Sequence, residues 1–303
     1  MTRYGEAAEK GTLYLVATPI GNMDDITDRA RAVLAEADIV AAEDTRHTGL
    51  LLHRLGIDAR LLSCHEHNEA ARVEQIIAML GRGEDVAVVS DAGMPGISDP
   101  GEIIVAAAVE GGFKVVPVPG PTAFVAALTA SGLPTSRFIF QGFLPRKVGD
   151  RRKVLEELSS LPVTLIFYEA PHRLERMLED VADILGDRRC VVARELTKKF
   201  EDIQRGTVGE TLEWVRERKP KGEIVVIVEG CSQRSAATEG CPEGNAEDEL
   251  EMAVAEVAQL VGEGFTMRDA VSKVAEERGI SRREVYARAH EERDGGRKKQ
   301  KGT

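Results

Sequence analysis

No apolar run in the 303-residue chain approaches the roughly 18 residues that a membrane-spanning helix requires, so a soluble protein without a membrane partner is expected. The N-terminus, MTRYGEAAEKGTLYLV, is too charged for a secretory signal, which leaves the cytoplasm as the expected location. Cysteine is scarce. Cys64, Cys190, Cys231 and Cys241 lie far apart with no C-x-x-C pair, so neither a zinc knuckle nor a disulfide framework is signalled. Cys64 and Cys190 sit in apolar runs and read as reduced core residues. The glycine-rich signatures of nucleotide chemistry are also missing. ATPIGN, from Ala17 to Asn22, has one glycine and cannot make a G-x-G-x-x-G cradle, which argues against a nicotinamide enzyme. With no Walker loop and no G-x-S-x-G elbow, the triphosphatase and hydrolase readings weaken too. A formal net charge of -11 disfavours a uniformly basic nucleic-acid binder, although net charge conceals local distribution.

A hydrophobic content of 43% supports real cores, and the length allows two or three domains. In the first half, strand-like runs begin at Thr12, Asp38, Ala59, Asp85 and Lys114. Helical periods separate them, such as Ala30, Val33, Leu34 and Ala37, or Val73, Ile76, Ile77 and Leu80. That alternation predicts βαβ units and five parallel strands, and the unbroken Val/Ile/Leu/Ala runs predict helices on both faces of the sheet. PVPGPTA, from Pro117 to Ala123, interrupts the pattern and marks a domain boundary. Further runs begin at Phe138, Val163, Cys190, Phe200 and Gly222. Only a Lys198-Lys199 turn parts the third of these from the fourth, so a hairpin and a mixed second sheet are expected. Residues 232 to 245 lose periodicity and read as a linker.

Beyond it a compact helical unit is expected. Leu250, Val254, Val257, Leu260 and Val261 mark one amphipathic helix. Thr266 with Asp269 caps a second, which turns Val271, Val274 and Ala275 inward. After a turn at Gly279, Ser281 with Glu284 opens a third that carries Val285, Tyr286 and Ala289. Short helices joined by a glycine turn match the helix-turn-helix pattern. From Gly264 to Thr303 there are 11 Lys/Arg against 7 Asp/Glu, a local excess of +4 in an acidic chain. Nucleic-acid contact through Arg282 and Arg283 is one reading, and a dimerisation module with a solvated face is the other. A second basic stretch, PRKVGDRRK from Pro145 to Lys153, holds five cations against one Asp. It is either a loop whose Arg146, Lys147 and Arg151 clamp a phosphate backbone or a solvated helix start.

The densest signal is VVSDAGMPGISDPG, from Val88 to Gly101, where an apolar strand runs into Gly, Pro, Ser and Asp before a helix. Eight of the eleven residues from Ser90 to Pro100 are of these four types, whereas a plain turn needs one or two. In an open parallel sheet such a loop lies at the carboxyl ends of the strands, where ligands collect. Polar clusters follow two other strands on the same rim: Glu43, Asp44 and Arg46 in AAEDTRHT, and His65, Glu66, His67 and Asn68 in SCHEHNE. The His-x-His spacing lacks the further ligands of a metal site, so substrate hydrogen bonding or helix capping is expected there.

GTLYLVATPIGNMDDITDRA, AAEDTRHTGLLL, SCHEHNE, VVSDAGMPGISDPG, PVPGPTAFVAALTASGLP, FYEAPHRL, ARELTKKFE and RGTV together resemble the small-subunit ribosomal RNA methyltransferases that modify a cytidine 2'-hydroxyl, within the tetrapyrrole methylase superfamily. The likeness runs in order from about Gly11 to Gly230. It implies an α/β fold of two α/β/α domains, over 11–120 and 121–231. A linker over 232–247 and a helix-turn-helix-like domain over 248–292 complete the expected organisation. It also implies S-adenosylmethionine in the cleft between the α/β domains, a 16S rRNA substrate in the decoding region of the small ribosomal subunit, and a homodimer. The resemblance puts the cofactor against Pro19 and the loop residues Asp91, Ala92, Gly93, Met94, Ile97 and Ser98. Thr122, Ala123, Tyr168, Ala193, Glu195, Gly222 and Glu223 would complete that pocket. Tetrapyrrole-modifying members carry a G-x-G-x-G-D loop after the first strand where this chain has TPIGN, which favours the RNA branch over a precorrin substrate. A sulfonium methyl is already activated, so no metal is expected and the protein must align the ribose oxygen and help remove its proton. Glu43, Asp44 and His65 are the candidate bases, and Arg46 and Asn68 would position ribose or phosphate. Asp44 and Arg46 fit a structural ion pair equally well. A non-catalytic RNA-binding regulator is the reading from another class.

Overall fold

A computed structural model describes residues 10–65, 68–231, 246–278 and 280–290. The chain divides into two compact units, Met1–Gly230 and Cys231–Thr303.

The first unit opens with β1 (Thr12–Val16), β2 (Ile39–Ala42), β3 (Leu61–Ser63), β4 (Val86–Val89) and β5 (Lys114–Val118). They pair in parallel in the order β3-β2-β4-β1-β5. The central strands β2 and β4 are apolar and buried throughout because side chains alternate between two separate cores. On β4, Val86 and Val88 enter one core with α3 (Glu69–Gly81) and α4 (Glu102–Glu110), while Ala87 and Val89 enter the other with α1 (Asp28–Glu36) and α2 (Thr45–Leu55). Strand order then fixes where a ligand can sit. The connection from β1 through α1 leads to β2, and the connection from β4 through α4 leads to β5 on the far side of β1. Neighbouring strands whose connections leave in opposite directions open a crevice at their carboxyl ends. The loops there are TPIGN and SDAGMPGISDPG.

The second sheet comprises β6 (Phe138–Phe143), β7 (Thr164–Glu169), β8 (Arg189–Arg194), β9 (Asp202–Thr207) and β10 (Ile224–Val228), in the order β6-β7-β10-β8-β9. Only β6 and β7 are parallel, and β8 with β9 form the expected hairpin. One face buries Leu165, Phe167 and Val226 against α6 (Val148–Leu158), α7 (Pro171–Leu185) and α8 (Val208–Arg218). The other buries Ile166, Val191 and Ile227 against Ala127 and Leu128 of α5 (Ala123–Ser131), with Ile20 and Ala92 from the loops of the first sheet. The crevice of the first sheet is therefore roofed by the second.

The other unit holds α9 (Ala246–Gly262), α10 (Met267–Arg278) and α11 (282–290). Val254, Val257, Val271, Val274, Val285 and Ala289 form its core. Thr266 Oγ1 accepts the Asp269 main-chain N–H at 3.2 Å, as expected for the second helix, while its hydroxyl donates to the Asp269 carboxylate. Tyr286, expected with the apolar residues of the third helix, is exposed. The glycine turn at 279 and most of the linker lie outside the described residues.

Candidate active site

The crevice is held open by backbone. Thr18 and Gly93 exchange both main-chain hydrogen bonds, at 2.9 and 3.0 Å, which ties the loop after β1 to the loop after β4. Gly93 does this at φ 85°, a region that disfavours any side chain. The buried Glu69 carboxylate accepts the Gly101 N–H at 2.8 Å and anchors the far end of the same loop. Ser98 within it stands at φ 61°, and Glu195 and Thr197 opposite stand at 51° and 65°. Non-glycine residues in this region cost on the order of 1–3 kcal/mol each, strain that collects where loops are shaped for a ligand. Asn22 N–H donates to Thr197 Oγ1 at 3.0 Å and fastens the first-sheet loop to the second-sheet loop.

Between them lies a cavity of about 360 Å³. Such a volume suits a small organic ligand. The first-sheet loops contribute Ile20, Ala92, Gly93, Met94, Ile97, Ser98 and Asp99. Thr122 and Ala123 come from the start of α5, and Ala170 and Pro171 from the start of α7. The second sheet and its loops add Phe143, Tyr168, Glu169, Ala193, Leu196, Gly222, Glu223, Ile224 and Val225. Burial pushes Asp99 up to about 7; the Glu43 and Asp91 charges act in the same direction, against a hydrogen bond from Ser90. Tyr168 rises to about 12, again chiefly through burial. Glu169 is raised by burial, although Arg173 and the Ala170 N–H favour its charged form. Its Oε1 accepts from Ala170 at 2.8 Å and pairs with Arg173 at 3.2 Å, while Oε2 is buried with no hydrogen-bond partner among the described residues.

Of the residues assigned to the cofactor from the sequence, Ala92, Gly93, Met94, Ile97, Ser98, Thr122, Ala123, Tyr168, Ala193, Gly222 and Glu223 meet on this wall. Pro19, Asp91 and Glu195 are not among the lining residues. Asp91 accepts the Asp44 N–H at 3.2 Å, and Glu195 accepts from Lys198 and from the Glu223 N–H at 3.0 and 3.1 Å. Asp99, Phe143, Glu169 and Ile224 were not singled out from the sequence. Asp99 belongs to the densest motif, and Phe143 lies two residues before the basic stretch, but their meeting depends on the sheet-to-sheet contact.

The polar rim sits beside the cavity. Asp44 caps α2 through the Arg46 N–H at 2.8 Å and pairs with the Arg46 guanidinium at 2.8 Å, so its carboxyl is held well below the usual range. The structural ion pair is thus present, with Arg46 itself largely in solvent. Glu43 is raised by burial and by the Asp91 charge, against a hydrogen bond from the Asp91 N–H at 3.4 Å. Asn68 Oδ1 accepts the His65 N–H at 2.8 Å, and its Nδ2 lies 3.2 Å from His65 Nε2, which makes Asn68 an organiser of its own loop. Glu66 and His67 lie outside the described residues. The basic stretch requires a correction. Its second half is helix α6, and Arg151 is 5% exposed, with Nε donating to Asp180 at 2.6 Å. A buried, paired guanidinium cannot clamp phosphate. Arg146 and Lys147, ahead of the helix, are exposed, as are Arg282 and Arg283. Cys64 and Cys190 are free and buried as expected. Among the described residues no group of three or more His, Cys, Asp or Glu could hold a metal ion, and no helix is long and apolar enough to cross a membrane.

Two α/β layers close on a cavity at their strand ends, and residues 12–212 match the family described as Tetrapyrrole (Corrin/Porphyrin) Methylases. The chain belongs to that family. Within it the chain groups with proteins named Ribosomal RNA small subunit methyltransferase I. It is 46% identical over 289 residues to the one from Halalkalibacterium halodurans, covering 95% of this chain and 98% of that protein. To the one from Escherichia coli O157:H7 it is 46% identical over 286 residues, covering 93% and 96%. In fold it is similar to the methyltransferase CobJ, with a TM-score of 0.57 at 23% identity over 73% of this chain and 95% of that one. Uroporphyrin-III-C-methyltransferase from Thermus thermophilus gives 0.53 at 24% identity over 73% and 94%.

Proposed function

We propose that the protein methylates the 2'-hydroxyl of a cytidine in 16S rRNA of the small ribosomal subunit, with S-adenosylmethionine as donor and without a metal. The observation that carries this reading is the 46% identity, over 95% of the chain, to a protein named for small-subunit rRNA methylation. The cytidine and the 2'-oxygen rest on the motif resemblance.

The residues present fit such a donor. Apolar Ile20, Leu196, Ile224 and Val225 suit a purine ring, and the positive starts of α5 and α7 suit a carboxylate. The largely exposed Glu223 carboxylate on the cavity wall suits the donor's ammonium. When bound, the donor supplies an electrophilic methyl on sulfonium sulfur. The protein's share is alignment and proton removal. Asp99 faces the cavity, and a carboxyl near 7 can accept a hydroxyl proton at neutral pH, so we assign it the role of base ahead of Glu43. Asp44 is committed to Arg46 and to its helix, and His65 to the loop that Asn68 organises. The domain division given above, a cytoplasmic homodimer, and phosphate contacts through Arg46, Arg146, Lys147, Arg282 and Arg283 belong to the same proposal.

The test incubates the protein with labelled S-adenosylmethionine and under-methylated small subunits, then digests the RNA to nucleosides. Label in 2'-O-methylcytidine is expected. In a parallel reaction supplied with a precorrin, label on the precorrin alone would favour the tetrapyrrole reading, and RNA binding without transfer would favour a regulator.

A further inference from the structure

Strand β6 carries one residue more than its partner can match. Its pairing with β7 runs Phe138–Thr164, Ile139–Leu165 and Phe140–Ile166, then shifts to Gly142–Phe167 and Phe143–Tyr168, leaving Gln141 unpaired. Side chains alternate along a strand, so one extra residue inverts every face beyond it. In an unbroken strand Phe140 and Phe143, three apart, would point to opposite faces. Here they oppose Ile166 and Tyr168, two apart, and share one face. Both rings meet Tyr168, with centroids at 4.9 and 5.6 Å, and Phe124 stacks on Phe140 at 4.4 Å. In a chain with 4% aromatics, this places a row of rings beside the cavity. Its outer member, Phe143, forms part of the cavity wall and is 55% exposed.

The segment that follows is pinned. Leu144 is buried, and Arg173 Nη2 donates to the Leu144 and Pro145 carbonyls at 2.6 and 3.3 Å while its Nε pairs with Glu169. Arg146 and Lys147 come next, both exposed, and no more than about 14 Å of extended chain separates them from Phe143. An exposed ring followed by two exposed cations is the pattern that proteins use for single-stranded nucleic acid, the ring stacking on a base and the cations meeting phosphates.

We propose that Phe143, turned to the cavity by the Gln141 bulge, is the stacking platform for a base of the RNA substrate, with Arg146 and Lys147 on the adjoining phosphates. The inference rests on the rRNA reading above. Phe143 stands at the open side of the row, where a second reactant arrives, whereas the apolar wall suited to the donor's purine is formed by Ile224, Val225 and Leu196.

The test uses the full chain with Phe143→Leu, which keeps an apolar lip without a π face, and Phe143→Trp, which keeps the face. Small subunits are the substrate, and S-adenosylmethionine binding is measured separately by calorimetry. Phe143→Leu is expected to raise KM for subunits about tenfold or more with donor affinity unchanged, and Phe143→Trp to restore it. Arg146→Gln with Lys147→Gln should weaken RNA binding and flatten its salt dependence. Loss of donor affinity in Phe143→Leu at unchanged subunit KM would place the donor's adenine on the ring and overturn the proposal, as would two unchanged constants. A wild-type protein that transfers nothing to subunits sinks the rRNA reading itself, whereas active wild type with an indifferent Phe143→Leu sinks the stacking role alone.

Discussion

Gly142 and Ser98 meet where the two sheets touch. A Cβ on Gly142 would lie 2.9 Å from Ser98 Oγ, and Gly142 holds φ at 70°. Alanine there pays the left-handed backbone penalty of about 1–2 kcal/mol and also pushes on the Ser98 loop, which forms cavity wall. Gly142→Ala should lower the melting temperature by several degrees and weaken S-adenosylmethionine binding several-fold. Calorimetric titration reads the second effect. Full donor affinity in a destabilised variant would show that the loop yields without reshaping the site.

The Arg151–Asp180 pair is buried on both sides, and Asp180 also binds Arg152 at 2.7 Å. Removing one member of a buried pair costs about 3–5 kcal/mol, and the remaining Arg152 contact should hold Arg151→Ala to the lower end. Denaturant unfolding measures it. RNA affinity of the folded variant should match wild type, in contrast with the Arg146 and Lys147 changes. A selective loss of RNA binding at full stability would return Arg151 to the phosphate contacts.

Sequence periodicity carried the fold because the inner strands bury both faces: Val86, Ala87, Val88 and Val89 divide between two cores, so the run is apolar without alternation. Gly93 announced its loop because its left-handed backbone needs glycine. Other features depended on contacts far along the chain. Nothing local separates Arg151 from Arg152, since what selects Arg151 is Asp180 on a helix one strand later. In plain alternation Phe143 would fall on the face of Ile139, toward α6, α7 and α8, and only the unpaired Gln141 reverses it. Asp99 acquires its shift from burial, from Glu43 after a different strand, and from Asp91 in its own loop.

The helical unit has its own buried core of Val254, Val257, Val271, Val274 and Val285. The cavity lies wholly within the first unit. Deleting residues 248–303 should therefore leave S-adenosylmethionine affinity within about twofold and reduce RNA affinity, with a smaller salt dependence from the lost cations. Filter binding at several salt concentrations measures this. Unchanged RNA affinity would make the unit structural, a dimerisation module for instance, which sedimentation of the truncated chain would report.

Asp99 should link acidity to stability and, as the proposed base, to rate. Its folded value of about 7 stands above the 3.8 of an ordinary aspartate, so between these limits the folded protein keeps a proton that the unfolded chain has released. Stability from this group is full below about pH 4 and is lost as pH rises to 7. Asp99→Asn, which cannot ionise, should match wild type in acid and exceed it in stability above pH 7. The rate should move oppositely. A base must be ionised, so wild-type kcat/KM should climb through an ionisation near 7, and Asp99→Asn should lose that limb along with about 10²–10⁴ in kcat. A cationic donor beside the carboxylate favours its charged form, so the kcat limb should lie at lower pH than the kcat/KM limb. Retained kcat with weakened donor binding in Asp99→Asn would instead make Asp99 a holder of the donor, and Glu43, raised by burial one strand away, would be the next base to test.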